Sequence, residues 1–177
     1  MMLNGQYCGF KKCGENVFIS DKISIYNAKG ITIGDNVRID DFCILSAGAG
    51  GIEIGSNIHI SCYCSFIGAG KITLEDYTNF SPYVNIMSSS DDFSGEYLIS
   101  PVIPIEKRNV KNLPVTIKKF AVLGIKSIVL PGITMGVNSG AGAMTLIRKD
   151  IADNELWGGN PAKLIYMRKQ LNPSIDV

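Results

Sequence analysis

The stretch that decides the fold reads Ile117-Lys-Lys-Phe-Ala-Val-Leu-Gly-Ile-Lys-Ser-Ile-Val-Leu-Pro-Gly-Ile-Thr-Met-Gly-Val-Asn-Ser-Gly-Ala-Gly-Ala-Met-Thr-Leu-Ile147, with an apolar residue at every sixth position. Apolar or small residues also stand two places before several of these positions, which indicates short strands whose alternate side chains point inward. We therefore predict a succession of short strands, each burying one aliphatic side chain per six-residue step. The six positions are Ile117, Leu123, Val129, Met135, Ala141 and Ile147.

The same step organises the preceding part of the chain into repeats. Related segments begin at Ile31, Ile52 and Ile72, and each repeat exceeds three six-residue steps by two or three residues in a glycine-bearing segment. This spacing predicts coils with three flat faces and one enlarged corner, which stack to bury an aliphatic column. The earlier six-step positions are Ile33, Ile39, Leu45, Ile54, Ile60, Phe66, Leu74, Phe80 and Ile86.

Glycine often follows the key aliphatic residue, at Gly34, Gly55, Gly124 and Gly136. We expect a tight corner after each of these strands to need a backbone conformation that glycine adopts freely.

Two segments interrupt the rhythm. Residues 88–114 are polar and broken by prolines, which is typical of a functional excursion from a rigid scaffold. In the second, Asn160-Pro161 resembles the start of a helix, and Leu164, Met167 and Leu171 would form its apolar stripe. We predict a repeat domain over residues 1–151, with its excursion loop at 88–114, and a tail with a short C-terminal α-helix over 152–177.

Composition excludes several functional classes. The 177 residues carry 17 basic and 16 acidic side chains, so no global charge favours nucleic acid or an anionic membrane. No stretch approaches the length of a membrane span, and the first residues lack the apolar core of a signal peptide. Five cysteines and one histidine favour reduced thiols in a cytoplasmic protein over disulfides or a metal site. Cys62 and Cys64 are expected to share one face of a strand and to pack there.

The chain resembles the hexapeptide-repeat acyltransferases in its six-step ladder, in the run Leu123–Gly136, and in the tail Gly158-Gly-Asn-Pro-Ala-Lys163. This resemblance implies an all-β fold, a left-handed parallel β-helix, a homotrimer, and acetyl-CoA or another acyl-CoA bound between neighbouring subunits. Ser89–Glu96 and the segment that follows also resemble the loop of enzymes that acylate amino sugars or hydroxyls, among them the dTDP-4-amino-4,6-dideoxy sugar N-acyltransferases.

The resemblance assigns site residues one by one. Backbone groups of Ile125 and Ala143 would hold the pantetheine arm, and because Ile125 replaces a small polar residue, only its main chain can serve. Lys149, Lys163 and Arg168 would meet the CoA phosphates.

From the residues themselves, Glu96 would either bind a sugar hydroxyl or face water, and Arg108, in the basic end of the loop, would either meet the nucleotide pyrophosphate or belong to a solubilising edge. Asn85 and Ser90 are the other residues expected to contact the sugar nucleotide.

Many relatives use a histidine at the start of the loop as a general base, and here Asp91 or Asp92 takes that position. The sole histidine, His59, lies between two inward aliphatic residues and should face outward. An aspartate is a weak base for an alcohol, whereas an amine with a pKa near 8 is already partly neutral and needs mainly to be oriented. We therefore predict N-acylation of a nucleotide-linked amino sugar for surface polysaccharide, with the acidic loop orienting the amine and a backbone N–H polarising the thioester.

Three other functions fit the sequence less well. O-acetylation of a sugar hydroxyl by the same fold would need a base that the loop lacks. A carbonic anhydrase of this fold would need three zinc-binding histidines, and the chain has one. A non-catalytic trimeric scaffold would not need the long polar excursion and the basic C-terminal segment, so their presence favours an enzyme.

Overall fold

The computed structural model describes residues 2–4 and 9–172, and nearly all of its regular structure is β. Two short 3-10 turns, Ala28–Gly30 and Ile105–Lys107, supplement the strands. In chain order the strands are β1 (Met2–Asn4), β2 (Lys12–Cys13), β3 (Phe18–Ser20), β4 (Ser24–Tyr26), β5 (Ile31–Ile33), β6 (Val37–Ile39), β7 (Ile44–Ala47), β8 (Ile52–Ile54), β9 (Ile58–Ile60), β10 (Ser65–Gly68), β11 (Ile72–Leu74), β12 (Asn79–Phe80), β13 (Asn85–Met87), β14 (Ser89–Ser90), β15 (Lys111–Asn112), β16 (Val115–Ile117), β17 (Val122–Leu123), β18 (Ile128–Val129), β19 (Thr134–Met135), β20 (Gly140–Ala141), β21 (Leu146–Ile147), β22 (Glu155–Gly158) and β23 (Lys163–Met167).

Successive strands pass in turn through three parallel sheets, so the chain winds as a parallel β-helix of triangular cross-section. Face 1 holds β2, β5, β8, β11, β16 and β19, and face 3 holds β4, β7, β10, β13, β18 and β21. Face 2 holds β3, β6, β9, β12, β17, β20 and β22, with β1 and β23 at its two ends. Repeats stack in register, as in the ladder Ile31, Ile52, Ile72, Val115 along face 1. The predicted coils are confirmed.

The six-step residues form the core. Each one from Ile33 to Ile147 is buried, and so are the residues two places earlier, such as Val37, Ile58 and Ala121. Full burial of one such aliphatic side chain contributes about 1.5–3 kcal/mol. Because the coils supply apolar residues to each face, among them the aromatic Phe66 and Phe80, they stabilise one another through a continuous column.

The enlarged corner lies between faces 3 and 1. It contains Ala28–Gly30 in the first complete coil, and Gly48–Gly51 and the residues after Gly68 in the next two. The excursion loop leaves the helix at this same corner, between β13 and β16. Its base is closed by an antiparallel pair in which Ser89 is opposite Asn112 and Ser90 is opposite Lys111.

The corner glycines are required for a different physical reason from the one predicted. Positive φ angles occur two residues after the glycine, as at Asn36 and Lys126, and not at Gly34, Gly55, Gly124 or Gly136. At Gly34 an added Cβ would lie 2.5 Å from Ser56 Oγ and 2.7 Å from the carbonyl carbon of Gly55. The glycines are therefore needed because the backbone of the next coil approaches closely, and the expectation about their φ angles was wrong.

Stacked side chains line the corners that carry the left-handed residues. Between faces 1 and 2, the amides of Asn16, Asn36 and Asn57 are joined by hydrogen bonds of 3.1 and 3.2 Å. Between faces 2 and 3, the ring of Tyr63 stacks on Phe42 and on Tyr83, with centroid separations of 4.9 and 4.7 Å. Both ladders stabilise a left-handed backbone that costs about 1–2 kcal/mol per ordinary residue.

The same corner explains the arrangement of the cysteines. Cys62-Tyr63-Cys64 turns the corner between faces 2 and 3, so the prediction that both sulfurs share one face of a strand was wrong. Cys64 is buried and Cys62 is half-buried. Cys8 lies outside the described residues. In the described part of the chain, no group of three or more potential ligands could hold a metal ion.

The predicted C-terminal helix was also wrong. Its segment forms β23, which pairs antiparallel with β22, and Asn160-Pro161 lies in the turn between them. The residues of the predicted apolar stripe do not pack into the core, because Leu164 is 50% and Met167 59% exposed. The backbone edge of β22 instead offers hydrogen-bonding groups that a strand can satisfy and a helix cannot. Pro173 lies outside the described residues.

No helical segment of the described residues is long and apolar enough to span a membrane.

We expect Gly34→Ala to lower the free energy of unfolding by about 1–3 kcal/mol, because its Cβ would overlap the next coil. Gly142→Ala is the matched control, since a Cβ there would have its nearest neighbour at 3.6 Å. Urea unfolding followed by circular dichroism measures both variants. Equal stability of the two variants would contradict the role of close approach at Gly34.

Candidate active site

A cleft of about 350 Å³ lies at the C-terminal end of the β-helix, and we call it the terminal cleft. Two predicted CoA ligands, Lys149 and Lys163, line it together with Arg148 and Trp157. Three cations around one cleft are suited to a ligand that carries several phosphates. The residues that line it are Arg148, Lys149, Trp157, Pro161, Ala162, Lys163 and Leu164.

Sequence reasoning did not find Arg148 and Trp157. Trp157 belongs to the last strand that continues face 2, opposite Ala141, and its indole N–H donates a 2.8 Å hydrogen bond to Glu155 Oε2. The tail contributes to the cleft because it folds back as a hairpin. The prediction of a helix in this segment gave no reason to expect that contribution.

Arg168 lies outside the terminal cleft. Its guanidinium donates hydrogen bonds to the carbonyl oxygens of Asn138, at 3.0 Å, and Ser139, at 2.8 Å. These contacts attach the tail to the last complete coil. Because Nη1 of Arg168 is engaged by two backbone carbonyls and the residue does not line the cleft, the structure does not bring Arg168 together with Lys149 and Lys163.

Ile125 and Ala143 occupy equivalent positions on successive coils, at the corner between faces 2 and 3. The carbonyl of Ile125 accepts a 2.8 Å hydrogen bond from the N–H of Met144, so one coil braces the other. In residues 9–172, no acceptor lies within hydrogen-bond distance of the N–H of Ile125 or of Ala143. These two amides are available to a ligand. Gly124 keeps the second one uncovered, since a Cβ there would lie 2.7 Å from the nitrogen of Ala143.

The equivalent amides at the neighbouring corner are capped. Between faces 1 and 2, the N–H of Asp35 donates to Ser56 Oγ at 3.0 Å, and the N–H of Ser56 donates to Asp76 Oδ1 at 2.9 Å. Each cap comes from the residue at the same position one coil later. For Ile125 that residue is Ala143, whose methyl group cannot accept a hydrogen bond. The free amides therefore result from the residue types at this corner.

The two candidate acids of the loop differ in their surroundings. The carboxylate of Asp92 accepts hydrogen bonds from the N–H of Ser94, at 2.8 Å, and from the amide of Asn109, at 2.6 Å. The bonds from Ser94 and then that from Asn109 hold the pKa of Asp92 below its ordinary value. The carboxylate of Asp91 has no hydrogen-bond or ion-pair partner among the described side chains. Asp92 therefore organises the loop, and Asp91 is free to contact a ligand.

The other predicted substrate ligands are spread along the loop and its base. The amide of Asn85 donates to the carbonyl of Tyr83 at 2.9 Å, and Ser90 Oγ donates to the carbonyl of Asp91 at 3.1 Å. Glu96 is exposed. Arg108 Nε is buried without a hydrogen-bond partner in the structure, which leaves this donor for an anion.

One chain does not bring all these groups together. Asp91 follows β14, at the corner between faces 3 and 1, whereas Ile125 and Ala143 lie at the corner between faces 2 and 3. The strands of face 3 separate the two sets. A site that uses both therefore needs surfaces from more than one chain.

His59 faces outward, as expected. Its Nε2 lies 2.8 Å from Asp40 Oδ2, and Arg38 Nε lies 2.7 Å from the other oxygen of the same carboxylate. Burial raises the pKa of Asp40, but the hydrogen bonds from Arg38 and His59 outweigh it and hold that pKa below its usual value. This ion cluster lies on the outer surface of face 2, away from the loop.

The chain is similar to known proteins in both sequence and fold. The chain is 46% identical over 162 residues to the dTDP-4-amino-4,6-dideoxy-D-glucose acyltransferase of Escherichia coli, a match that covers 92% of this chain and 84% of the relative. No protein-family model matches the chain.

Solved structures agree with this relationship. An aspartate-to-alanine variant of AntD, an N-acyltransferase from Bacillus cereus, in complex with dTDP and coenzyme A, is 39% identical with a TM-score of 0.87, covering 92% of this chain and 86% of AntD. A serine-to-cysteine variant of AntD, in complex with dTDP-4-amino-4,6-dideoxyglucose and coenzyme A, has a TM-score of 0.88 at 40% identity over the same shares of the two chains. A hexapeptide-repeat acetyltransferase from Vibrio cholerae, 18% identical with a TM-score of 0.62, covers 92% of this chain and 73% of its own and shares the fold.

The chain therefore belongs to the family of acyl-CoA-dependent dTDP-amino-sugar N-acyltransferases, which are built on the left-handed parallel β-helix.

Proposed function

We propose that the protein transfers an acyl group from acyl-CoA to the amino group of a dTDP-4-amino-4,6-dideoxy sugar. The observation that carries this proposal is the likeness to AntD in complex with that sugar nucleotide and coenzyme A. The free amides of Ile125 and Ala143 and the three cations of the terminal cleft fit such a donor. The product would supply an acylated sugar to surface polysaccharide synthesis in the cytoplasm, where the free thiols of the described cysteines are stable.

The donor would lie along the corner between faces 2 and 3 and end in the terminal cleft. There Lys149, Lys163 and Arg148 neutralise phosphate charge. The amides of Ile125 and Ala143 bind polar groups of the pantetheine arm, because they have no acceptor in the part of the chain that the structure describes. The strand register supports this route, since the corner runs without interruption from Ser81 through Gly124 to Gly142.

Asp91, and not Asp92, is the proposed catalytic carboxylate. Its oxygens have no partner among the described residues, whereas those of Asp92 are engaged by Ser94 and Asn109. The studied variants of AntD replace an aspartate and a serine that are ten positions apart. In this sequence Ser81 and Asp91 are the one serine–aspartate pair with that spacing, and the residue ten places before Asp92 is Pro82.

This assignment adds Ser81 to the candidate site, and sequence reasoning missed it. Ser81 stands on the same corner as Gly124, one coil earlier, and its N–H donates to the carbonyl of Leu123 at 3.0 Å. A half-buried hydroxyl there would donate a hydrogen bond to the reacting groups at the thioester end of the donor.

The chemistry needs one proton acceptor and one oriented amine. The sugar nitrogen forms a bond to the acyl carbon, the carbon–sulfur bond breaks, and the nitrogen loses its proton. Asp91 orients the neutral amine, whose lone pair attacks the acyl carbon, and accepts the proton that the nitrogen then releases; that proton passes to the departing thiolate. Because an amine of pKa near 8 is partly neutral at physiological pH, a carboxylate is a sufficient partner.

A homotrimer would complete the site. The excursion loop exposes large apolar side chains, with Phe93 at 82%, Val102 at 88% and Ile105 at 77%. A neighbouring copy that covers them would carry the loop and Asp91 toward the free amides of the adjacent chain. Analytical ultracentrifugation that found a monomer would rule out this assembly.

O-acylation has no comparable support. The sole histidine, His59, is hydrogen-bonded to Asp40 on the outer side of face 2 and not in the loop.

Incubation with acetyl-CoA and dTDP-4-amino-4,6-dideoxyglucose should yield one acetylated product, detected by mass spectrometry. The product should resist hydroxylamine, because an amide survives conditions that cleave an ester. The matched control is the sugar nucleotide with a hydroxyl in place of the amine, which should not react. A hydroxylamine-sensitive product, or acylation of the control, would overturn the proposed N-acylation.

Asp91→Asn should lower kcat/KM for the amino sugar by about 10²–10³-fold, because the amide cannot accept the proton. Asp92→Asn should lower it by less than about tenfold, since the side-chain amide oxygen still accepts the hydrogen bond from Ser94. Steady-state kinetics of the two variants provide the comparison. A larger loss in Asp92→Asn would reverse their roles.

Lys149→Ala and Lys163→Ala should each raise KM for acetyl-CoA by about three- to thirtyfold, with little change in kcat, because they bind phosphates and not the reacting atoms. With acetyl-pantetheine, which lacks phosphates, both variants should match the unmodified protein. Arg168→Met should lower Tm and leave KM unchanged, because its guanidinium binds backbone carbonyls. A rise in KM for Arg168→Met equal to that of the lysine variants would return it to the donor site.

A further inference from the structure

Two buried hydroxyls donate hydrogen bonds to one carbonyl oxygen beneath the candidate donor site. Ser127 Oγ lies 2.8 Å from the carbonyl oxygen of Gly142, and Thr145 Oγ1 lies 2.7 Å from the same oxygen. Ser127 and Thr145 are 0% and 1% exposed. The carbonyl therefore points into the molecule, toward its two donors.

The orientation of this carbonyl fixes the direction of the next N–H. In a trans peptide the C=O and N–H groups point in opposite directions. Since the oxygen of Gly142 points inward, the N–H of Ala143 points outward, and no acceptor in the described chain receives it. Hydrogen bonds to an amide oxygen also polarise the N–H of the same peptide group and strengthen it as a donor.

We propose that Ser127 and Thr145 are positioning residues for the acyl donor, because they hold and polarise the 142–143 peptide so that the N–H of Ala143 binds acyl-CoA. The inference rests on the proposed function, which assigns that N–H to the donor. Neither side chain touches the donor, and both act through the backbone.

Comparison with other coils supports this assignment. At the position of Ser127, earlier coils have Cys43 and Cys64, whose thiols donate to the carbonyls of Ser61, at 3.1 Å, and Ser81, at 3.3 Å. Thiols are weak donors, and each of these carbonyls has one such partner. The two hydroxyl donors thus occur together at the 142–143 peptide, and no described hydroxyl donates to the carbonyl of Gly124, whose peptide carries the other free N–H, that of Ile125.

The matching position of the neighbouring corner offers a control. Ser139 follows a glycine by three residues and a left-handed residue by one, as Ser127 does. Its Oγ is buried and makes no hydrogen bond within the structure. Ser139→Ala therefore removes a buried hydroxyl of the same kind without affecting the 142–143 peptide.

The test measures KM for acetyl-CoA, kcat and Tm in Ser127→Ala, Thr145→Val and Ser139→Ala. We expect KM to rise about three- to tenfold in each of the first two variants and to stay unchanged in the third. Thr145→Ser keeps the hydroxyl and should restore KM. A purely structural role would lower Tm in Ser127→Ala and Thr145→Val without raising KM, and that result would overturn the inference.

Ala143→Pro separates failure of this inference from failure of the proposed function. Proline removes the N–H and suits the corner, because Pro82 already occupies the equivalent position two coils earlier. KM for acetyl-CoA should rise in Ala143→Pro, and Thr145→Val should add nothing further in that background. An unchanged KM in Ala143→Pro would remove the proposed amide contact, and the inference with it. A raised KM there, with no effect of Ser127→Ala or Thr145→Val, would overturn the positioning role alone.

Discussion

The structure depends on the close approach of successive coils at their corners. Strand pairs such as Ile52 with Ile72 hold neighbouring coils in register, and the corner glycines let one backbone lie directly against the next. A side chain at Gly34 or Gly136 would separate the coils and break the column of aliphatic residues behind them. The core, the corner ladders and the free amides of the donor site all follow from this spacing, since each is set by the residue one coil away.

Much of the scaffold could be predicted because its core is formed by apolar residues at a constant spacing of six positions. The six-step apolar positions mark the inward side chains from Ile33 to Ile147, and the extra residues mark the enlarged corner from which the loop leaves. The tail could not be predicted in the same way. Asn160-Pro161 is compatible with both a helix start and a turn. The segment after it forms a strand because it pairs with the edge of β22, and the local sequence contains no sign of that edge.

The candidate site could be predicted only in part, for a similar reason. The resemblance predicts Lys149 and Lys163 as CoA ligands, and in the structure the two residues line one cleft. Arg168 carries the same charge but turns toward backbone carbonyls, which depends on how the tail folds. The choice between Asp91 and Asp92 depends on the partners of each carboxylate, and one of the two partners of Asp92 is Asn109, 17 residues away.

The two ends of face 2 run against the direction of the coils. β1 pairs antiparallel with β3, and β23 pairs antiparallel with β22. A solenoid whose terminal coils ended in plain parallel strands could add further molecules end to end, as a fibril does. Here a second molecule stacked end to end would meet an antiparallel strand instead of a parallel one. On this face the two antiparallel terminal strands therefore oppose polymerisation.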